Sequence, residues 1–455
     1  MSESSTIAAK STSSPEVEND LPVVSFNPGE RIDYEYFLDC VHCGLCTQAC
    51  PTYVLTGNEN DSPRGRIYLM RAVTDGRVDL NQNVRRHLEL CLDCRSCETA
   101  CPSGVQYGRL IEPFRLEMEK ELDSTNKTND WFHKFILFGL FPYPKRLRKA
   151  LSFARIAQAL KLDSLMLATG LWKLLPARLG RMATLLPKLR RADGKMEHVM
   201  PAIGKRRARV ALFTGCVQSE VFAQTNYATA HVLQQNGCDV IIPEGQGCCG
   251  AIHYHTGSEE PAVEMASNNL KAFDRDDIDA IIINVAGCGS MLKDYSHLWD
   301  DEESANARAR FASKVKDVHE FLDELGFIPP KAPLDVKVTY HDACHLVHAQ
   351  QVRHQPRNLI RQIPGVELVD LPESDMCCGA AGTYNLTETE MADQLSQRKL
   401  NNIRETGASI VLTANSGCLM QIDRERRVQD QSVRVMHPMD LIYCAYTHKS
   451  PFDYC

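Results

Sequence analysis

The pattern of apolar and polar positions changes character twice along the chain. From residue 208 onward, short apolar runs alternate with longer stretches whose apolar residues recur every three or four positions, which predicts strands alternating with helices. RVALFTGC, CDVIIPEG and DAIIINVAGC read as strands, the last ending at Cys288. SEVFAQTNYATAHVLQQNG reads as a helix ending on Gly237. The order recurs with VKVTYHDAC, VELVDLPESDM and ASIVLTANSGC, ending at Cys418. Upstream, residues 131–191 place Leu, Phe, Ile and Met at helical spacing, and prolines at 142, 144, 176 and 187 cut that stretch into short helices.

The recurrence is a duplication. Cys216 and Cys344 stand 128 residues apart, Cys248 and Cys377 stand 129 apart, and Cys288 and Cys418 stand 130 apart. Three matches this close indicate two copies of one unit. Strands alternating with helices imply a parallel sheet with right-handed crossovers, so each unit is expected to be Rossmann-like α/β. Its cysteines fall past the strand ends, at the carboxyl edge where open sheets place their sites. Cys216, Cys248, Cys249 and Cys288 form one candidate metal set, and Cys344, Cys377, Cys378 and Cys418 the other. A further iron–sulfur cluster, zinc, or buried thiols that only fill space are the alternatives for each.

A second repeat lies near the front. Cys40-x2-Cys43-x2-Cys46-x3-Cys50-Pro51 returns 51 residues later as Cys91-x2-Cys94-x2-Cys97-x3-Cys101-Pro102. Three thiolates two residues apart wrap one face of an iron–sulfur cube, and the fourth serves the neighbouring cube. The spacing therefore assigns Cys40, Cys43, Cys46 and Cys101 to one [4Fe-4S] cluster and Cys91, Cys94, Cys97 and Cys50 to a second. Proline after the fourth cysteine predicts a helix starting there in each run. The 51-residue displacement exceeds that of a compact ferredoxin, so helices must be inserted between the runs. Arg64, Arg66, Arg85 and Arg86 either orient around the clusters' negative charge or are solvated helix faces.

Composition narrows the class. Of 455 residues, 44% are hydrophobic and 24% charged, which is globular, and no apolar run is long enough to span a bilayer. Nineteen cysteines without a secretory signal point to metal or redox chemistry in a reducing, cytoplasmic compartment. Residues 131–191 hold 13 Lys/Arg and one acid, Asp163, inside a chain of net charge −7. Basic amphipathic helices suit a peripheral membrane contact or a partner subunit, or they are helices packed on the domains with their bases in water. Nucleic acid is not expected as a partner, since the rest of the chain is acidic and no binding module is present.

The expected architecture is α+β multidomain. It comprises a disordered tail over 1–24, an α-helical ferredoxin-type domain over 25–120, a basic helical linker over 121–207, and duplicated cysteine-rich domains over 208–330 and 331–447. His253, His255, His341, His345 and His348 cluster near the thiols, either to move protons or as hydrogen-bonded structural groups. Cys238, Cys444 and Cys455 match neither repeat. No site for hydride chemistry and no catalytic residue is expected.

The two front runs, SPRGRI, CLDCRSCETACPSGVQYG, HDACHLVHAQ, CCGAAGTYN and TANSGC together resemble the glycolate oxidase iron–sulfur subunit family over roughly residues 25–445. The resemblance implies an electron-transfer subunit, not catalytic alone. It would serve FAD-containing 2-hydroxyacid dehydrogenase subunits that oxidise glycolate, and also D-lactate, with a quinone-type acceptor at the cytoplasmic face of the inner membrane. Iron–sulfur subunits of lactate and glycerol-3-phosphate dehydrogenases are similar in layout, as is heterodisulfide reductase, whose repeats end in C-x2-C and hold an unusual five-thiolate cluster. Here NVAGCGSM and NSGCLMQ each supply one cysteine at that place. That departure weakens a disulfide-reductase reading, and a zinc-stabilised scaffold for a flavoprotein is the non-enzymatic alternative.

Overall fold

The computed structural model describes residues 27–124, 132–299 and 301–454. The tail over 1–24 and Cys455 lie outside the described residues. The described residues hold nine short strands, the first inside the stretch expected as linker: β1 (Val199–Met200), β2 (Ala208–Leu212), β3 (Cys238–Ile241), β4 (Ala280–Ile283), β5 (Val315–Asp317), β6 (Val336–Tyr340), β7 (Val366–Val369), β8 (Ile410–Leu412) and β9 (Arg434–Met436). They form two sheets, β1-β3-β2-β4-β5 and β7-β6-β8-β9. Apart from antiparallel β1, every pairing is parallel. Helices cover both faces, so β4 is Ala-Ile-Ile-Ile with all four residues buried.

The duplication is visible in register. Phe213, just past β2, donates its N–H to the Ile282 carbonyl, and His341, just past β6, donates to Leu412, each at 2.9 Å. The units share one core, with Val210, Val240 and Ile282 on one side and Val338, Ile410 and Met436 on the other. Cys238 and Cys444 belong to that apolar packing. Strands β1, β5 and β9 have two or three residues each, too few for a period-2 pattern to announce them. The runs ending in Cys288 and Cys418 are shorter as strands than their apolar character predicts. Each thiol sits instead in the first turn of a helix, Ala286–Asp294 or Ser416–Val428.

The front domain is helical. Pro51–Thr56, Pro63–Thr74 and Gln82–Glu89 fill the spacing between the cysteine runs, followed by Gly108–Ser124. Ser62 accepts from Gly65 N to cap the second of these, and Asn81 accepts from Asn83 N and Val84 N to cap the third. The apolar faces meet in a core of Phe37, Ile67, Met70, Leu88, Leu110, Ile111 and Phe114. Pro51 begins a helix as expected, but Pro102 does not. Gly104, at φ 74°, turns the chain there and the next helix waits until Gly108.

The linker packs on the units through helices Pro144–Ala159 and Ala177–Leu185. Arg148 makes a bidentate pair with Glu220, Nη2 to Oε1 at 2.7 Å and Nε to Oε2 at 3.0 Å, and the buried Arg181 pairs with Asp393. Arg181 is thus buried in the packing, while Arg148 reaches its buried partner from the surface. No described helix is long and apolar enough to cross a membrane.

Candidate functional site

The two front runs repeat in backbone as well as in sequence. The residue before the second cysteine and the residue after it are left-handed in both: His42 (φ 54°) and Gly44 (φ 85°), then Asp93 (φ 50°) and Arg95 (φ 56°). Alternating handedness curls each run around a common centre and turns peptide N–H groups inward. Cys40, Cys43, Cys46 and Cys101 line one small cavity. Cys50, Cys91, Cys94 and Cys97 line the next. The fourth cysteine of each run has crossed to the other's set, and all described cysteines are free thiols.

These donor sets fit a [4Fe-4S] cluster each. The carboxylates are absent from both linings, where the cationic side chains are Arg64, Arg66 and Arg95. Asp93 N and Tyr107 Oη donate to Cys91 Sγ at 3.3 and 3.7 Å, the kind of hydrogen bond that tunes a cluster. Burial pushes the Cys46 thiol up to about 11 and raises Cys40, Cys94 and Cys97 as well. A metal must therefore displace protons as it binds. Arg64 and Arg66 do face the thiols. Arg85 instead bonds the Met118 carbonyl, and Arg86 pairs with Glu388 of the second unit at 2.6 and 2.8 Å.

In each duplicated unit the four expected thiols converge at the carboxyl edge. Cys216 and Cys248 sulfurs lie 3.4 Å apart, and Cys248 and Cys249 then Cys249 and Cys288 continue the chain of contacts. Cys344, Cys377, Cys378 and Cys418 follow the same sequence. The sets differ in electrostatics. Hydrogen bonding to the neighbouring thiol, together with burial, raises Cys216 well up. In the second unit, a hydrogen bond from the Cys378 thiol holds Cys418 down to about 5, against burial. Gly250, at φ 88°, would drive a Cβ to 3.1 Å from the Ala262 carbonyl, so the bend after the cysteine pair requires glycine. Gly245-Gln246-Gly247-Cys248-Cys249-Gly250 also spells the dinucleotide fingerprint. It follows β3 rather than the first strand of its unit, and its turn is occupied by two thiols, so the context that gives the fingerprint meaning is missing.

All eight thiols open into one cavity of about 750 Å³, roofed by Leu92 and Asp93 from the second front run and by Phe138 from the linker. No spacing in the sequence announces this cavity, because its walls come from three domains. Cys94 of the second front set packs beside Cys377. Histidines join the parts. His345 Nε2 donates to the Asp93 carbonyl at 2.8 Å, His348 Nδ1 lies 2.9 Å from Thr99 Oγ1, and His255 Nδ1 lies 3.4 Å from Asp93 Oδ2. Burial pushes His253 down to about 4 as it stacks on Phe138, and it lowers His345 and His348 too. His253 is therefore neutral near pH 7 and structural.

Comparison with known proteins follows the same division. Residues 36–105 match the family model of a 4Fe-4S dicluster domain, and residues 128–186 that of the glycolate oxidase iron-sulfur subunit, linker region. Residues 210–293 and 338–423 each match a cysteine-rich domain. A probable glycolate oxidase iron-sulfur subunit of Bacillus subtilis (strain 168) is 39% identical over 92% of this chain and 96% of its own. The glycolate oxidase iron-sulfur subunit of Escherichia coli (strain K12) is 34% identical over 83% of this chain and 88% of its own. Lactate utilization protein A of Bacillus subtilis (strain 168) is 30% identical over 51% of this chain and 98% of its own. The front domain is accordingly a two-cluster [4Fe-4S] domain, and the thiol-lined units are cysteine-rich repeats.

Proposed function

Because this chain belongs to the glycolate oxidase iron–sulfur subunit family, we propose that it carries electrons from a FAD-containing subunit that oxidises glycolate to a quinone-type acceptor. A bound [4Fe-4S] cluster takes up and releases one electron at a time, which suits the outlet of a two-electron flavin. Cys40, Cys43, Cys46 and Cys101 hold one cluster and Cys91, Cys94, Cys97 and Cys50 the other. The chain's own part is to keep the crossed thiol sets adjacent and to balance their charge with Arg64, Arg66 and Arg95. The observation that carries the reading is the packing of Cys94 beside Cys377, which joins the front domain to the thiol-lined cavity without a gap.

The test is anaerobic reconstitution with the FAD-containing subunit. Glycolate should bleach the cluster absorbance stoichiometrically, and quinone should restore it. D-lactate tests the alternative substrate. Flavin reduction with unbleached clusters sinks the assignment.

The linker gives this subunit its place at a membrane. Phe153, Ile156, Leu160, Leu165 and Leu174 are 55–81% exposed on the helices Pro144–Ala159 and Leu162–Thr169 and the turn after them. Exposed Lys145, Lys149, Lys161 and Lys173 flank them. Apolar side chains rimmed by lysines fit an anionic lipid surface, where each base is worth about 1 kcal/mol. Changing the four lysines to Gln should reduce co-sedimentation with phosphatidylglycerol vesicles at least about tenfold at low salt and leave assembly with the flavoprotein intact. Unchanged sedimentation, or lost assembly instead, makes this face a subunit contact or plain surface.

A further inference from the structure

The duplicated sites are not chemically equivalent. After β6 the chain places His341, buried to 1% exposure, where the first unit places Phe213. The matching N–H bonds to Leu412 and Ile282 establish the equivalence. A ring nitrogen of His341 and the sulfurs of Cys378 and Cys418 all lie within 4.8 Å of one another. His341 Nδ1 lies 3.0 Å from the Ser374 carbonyl, which can only accept, so Nδ1 carries the proton. Nε2 is then a bare lone pair, and it is buried without a hydrogen-bond partner. A buried acceptor is costly to leave unpaired, so this nitrogen is suited to ligation. A histidine that ligates through one nitrogen while a backbone carbonyl holds the proton on the other is the usual arrangement at a metal. A second polar group distinguishes the units. Asn415 Nδ2 donates to Cys418 Sγ at 3.5 Å, whereas Val285 stands three residues before Cys288.

We propose that the second repeat is a mixed nitrogen–sulfur metal site in which His341 Nε2 binds the ion together with Cys378 and Cys418, while the first repeat binds through sulfur alone. This rests on the reading of the repeats as metal-holding but not on the electron donor or acceptor. Imidazole with thiolates selects a borderline-soft ion, zinc or iron. Phe213 and Val285 offer the first set no such donor, so one duplicated fold carries two coordination chemistries.

The test uses the full-length chain, purified anaerobically, with iron and zinc counted per chain. It compares wild type with His341→Phe, which copies the first unit, and His341→Cys, which restores a metal-binding side chain. Wild type should hold metal beyond the roughly eight irons of two cubes. X-ray absorption at the zinc edge should show an imidazole nitrogen at about 2.0–2.1 Å. If the surplus metal is iron, 15N-histidine labelling should instead shift a nitrogen coupling in pulsed EPR. His341→Phe should lose that nitrogen and bind the second repeat's metal at least about tenfold more weakly, with the first repeat's share retained. His341→Cys should keep the metal without the nitrogen. The proposal is overturned if wild type holds no metal beyond the two cubes, or if His341→Phe keeps both the surplus metal and an unchanged spectrum. Retained cube EPR signals report that each variant is folded. Loss of those signals in wild type counts against the electron-transfer reading and leaves the His341 assignment to its own spectra.

Discussion

Cys94→Ser should cut turnover with quinone or a dye at least about a hundredfold while glycolate still reduces the partner's flavin. Cys94 lines the second front cavity with Cys50, Cys91 and Cys97, and it is buried against Cys377. A serine hydroxyl is nearly the same shape but a far harder donor, so folding is spared more than iron binding. Because oxidation of the hydroxy acid takes place on the other subunit, flavin reduction and acceptor reduction should separate. Cys238→Ser is the control. Cys238 is equally buried but belongs to the core shared by the repeats, so its variant should lower stability and leave turnover per folded chain unchanged. Equal turnover for Cys94→Ser and wild type would falsify the assignment of the second front set.

The second large effect is expected at Arg66, a side chain 1% exposed. Its Nε donates to the His87 carbonyl at 2.7 Å, Nη1 donates to Thr52 Oγ1 at 3.0 Å and reaches Cys50 Sγ at 3.9 Å, and Nη2 lies 3.8 Å from Asp61 Oδ1. Arg66→Met leaves Asp61 buried with His87 as its ionisable neighbour at 2.8 Å. Stranding a buried charge in this way costs about 3–5 kcal/mol, readable as a lowered denaturation midpoint of the front domain. It also removes a positive charge beside Cys50, so the cluster held there should become harder to reduce and its potential more negative. Arg66→Lys separates the two effects. The charge returns and the potential should largely recover, but an ammonium cannot reproduce the guanidinium's planar fork, and most of the stability loss should remain. An Arg66→Met protein with wild-type midpoint and potential removes Arg66 from both roles.

The degree to which the sequence announced this protein follows the range of its interactions. The front cysteine runs were legible because cluster binding is local. Two-residue spacing sets the loop, and the left-handed backbone at His42, Gly44, Asp93 and Arg95 repeats with the same 51-residue period as the thiols. The duplicated α/β units were legible because buried parallel strands write themselves as apolar runs, and the matched cysteine displacements supplied the pairing. Helix starts were less secure. Cys288 and Cys418 belong to helices rather than strand ends, since an apolar residue after a short strand looks the same in either.

What the tertiary structure alone decided is everything that crosses between units. No period or spacing places Cys94 beside Cys377, pairs Arg148 and the buried Arg181 with Glu220 and Asp393 of the two repeats, or opens eight thiols from two repeats into one cavity under Asp93 and Phe138. Nor does a shared motif reveal that Phe213 and His341 occupy one position, because the two side chains are unlike and only the backbone pairing relates them. Sequence by itself determined which atoms are available as ligands and in what local loops. Packing, which depends on residues hundreds of positions apart, decided which of those atoms meet and with what charge beside them.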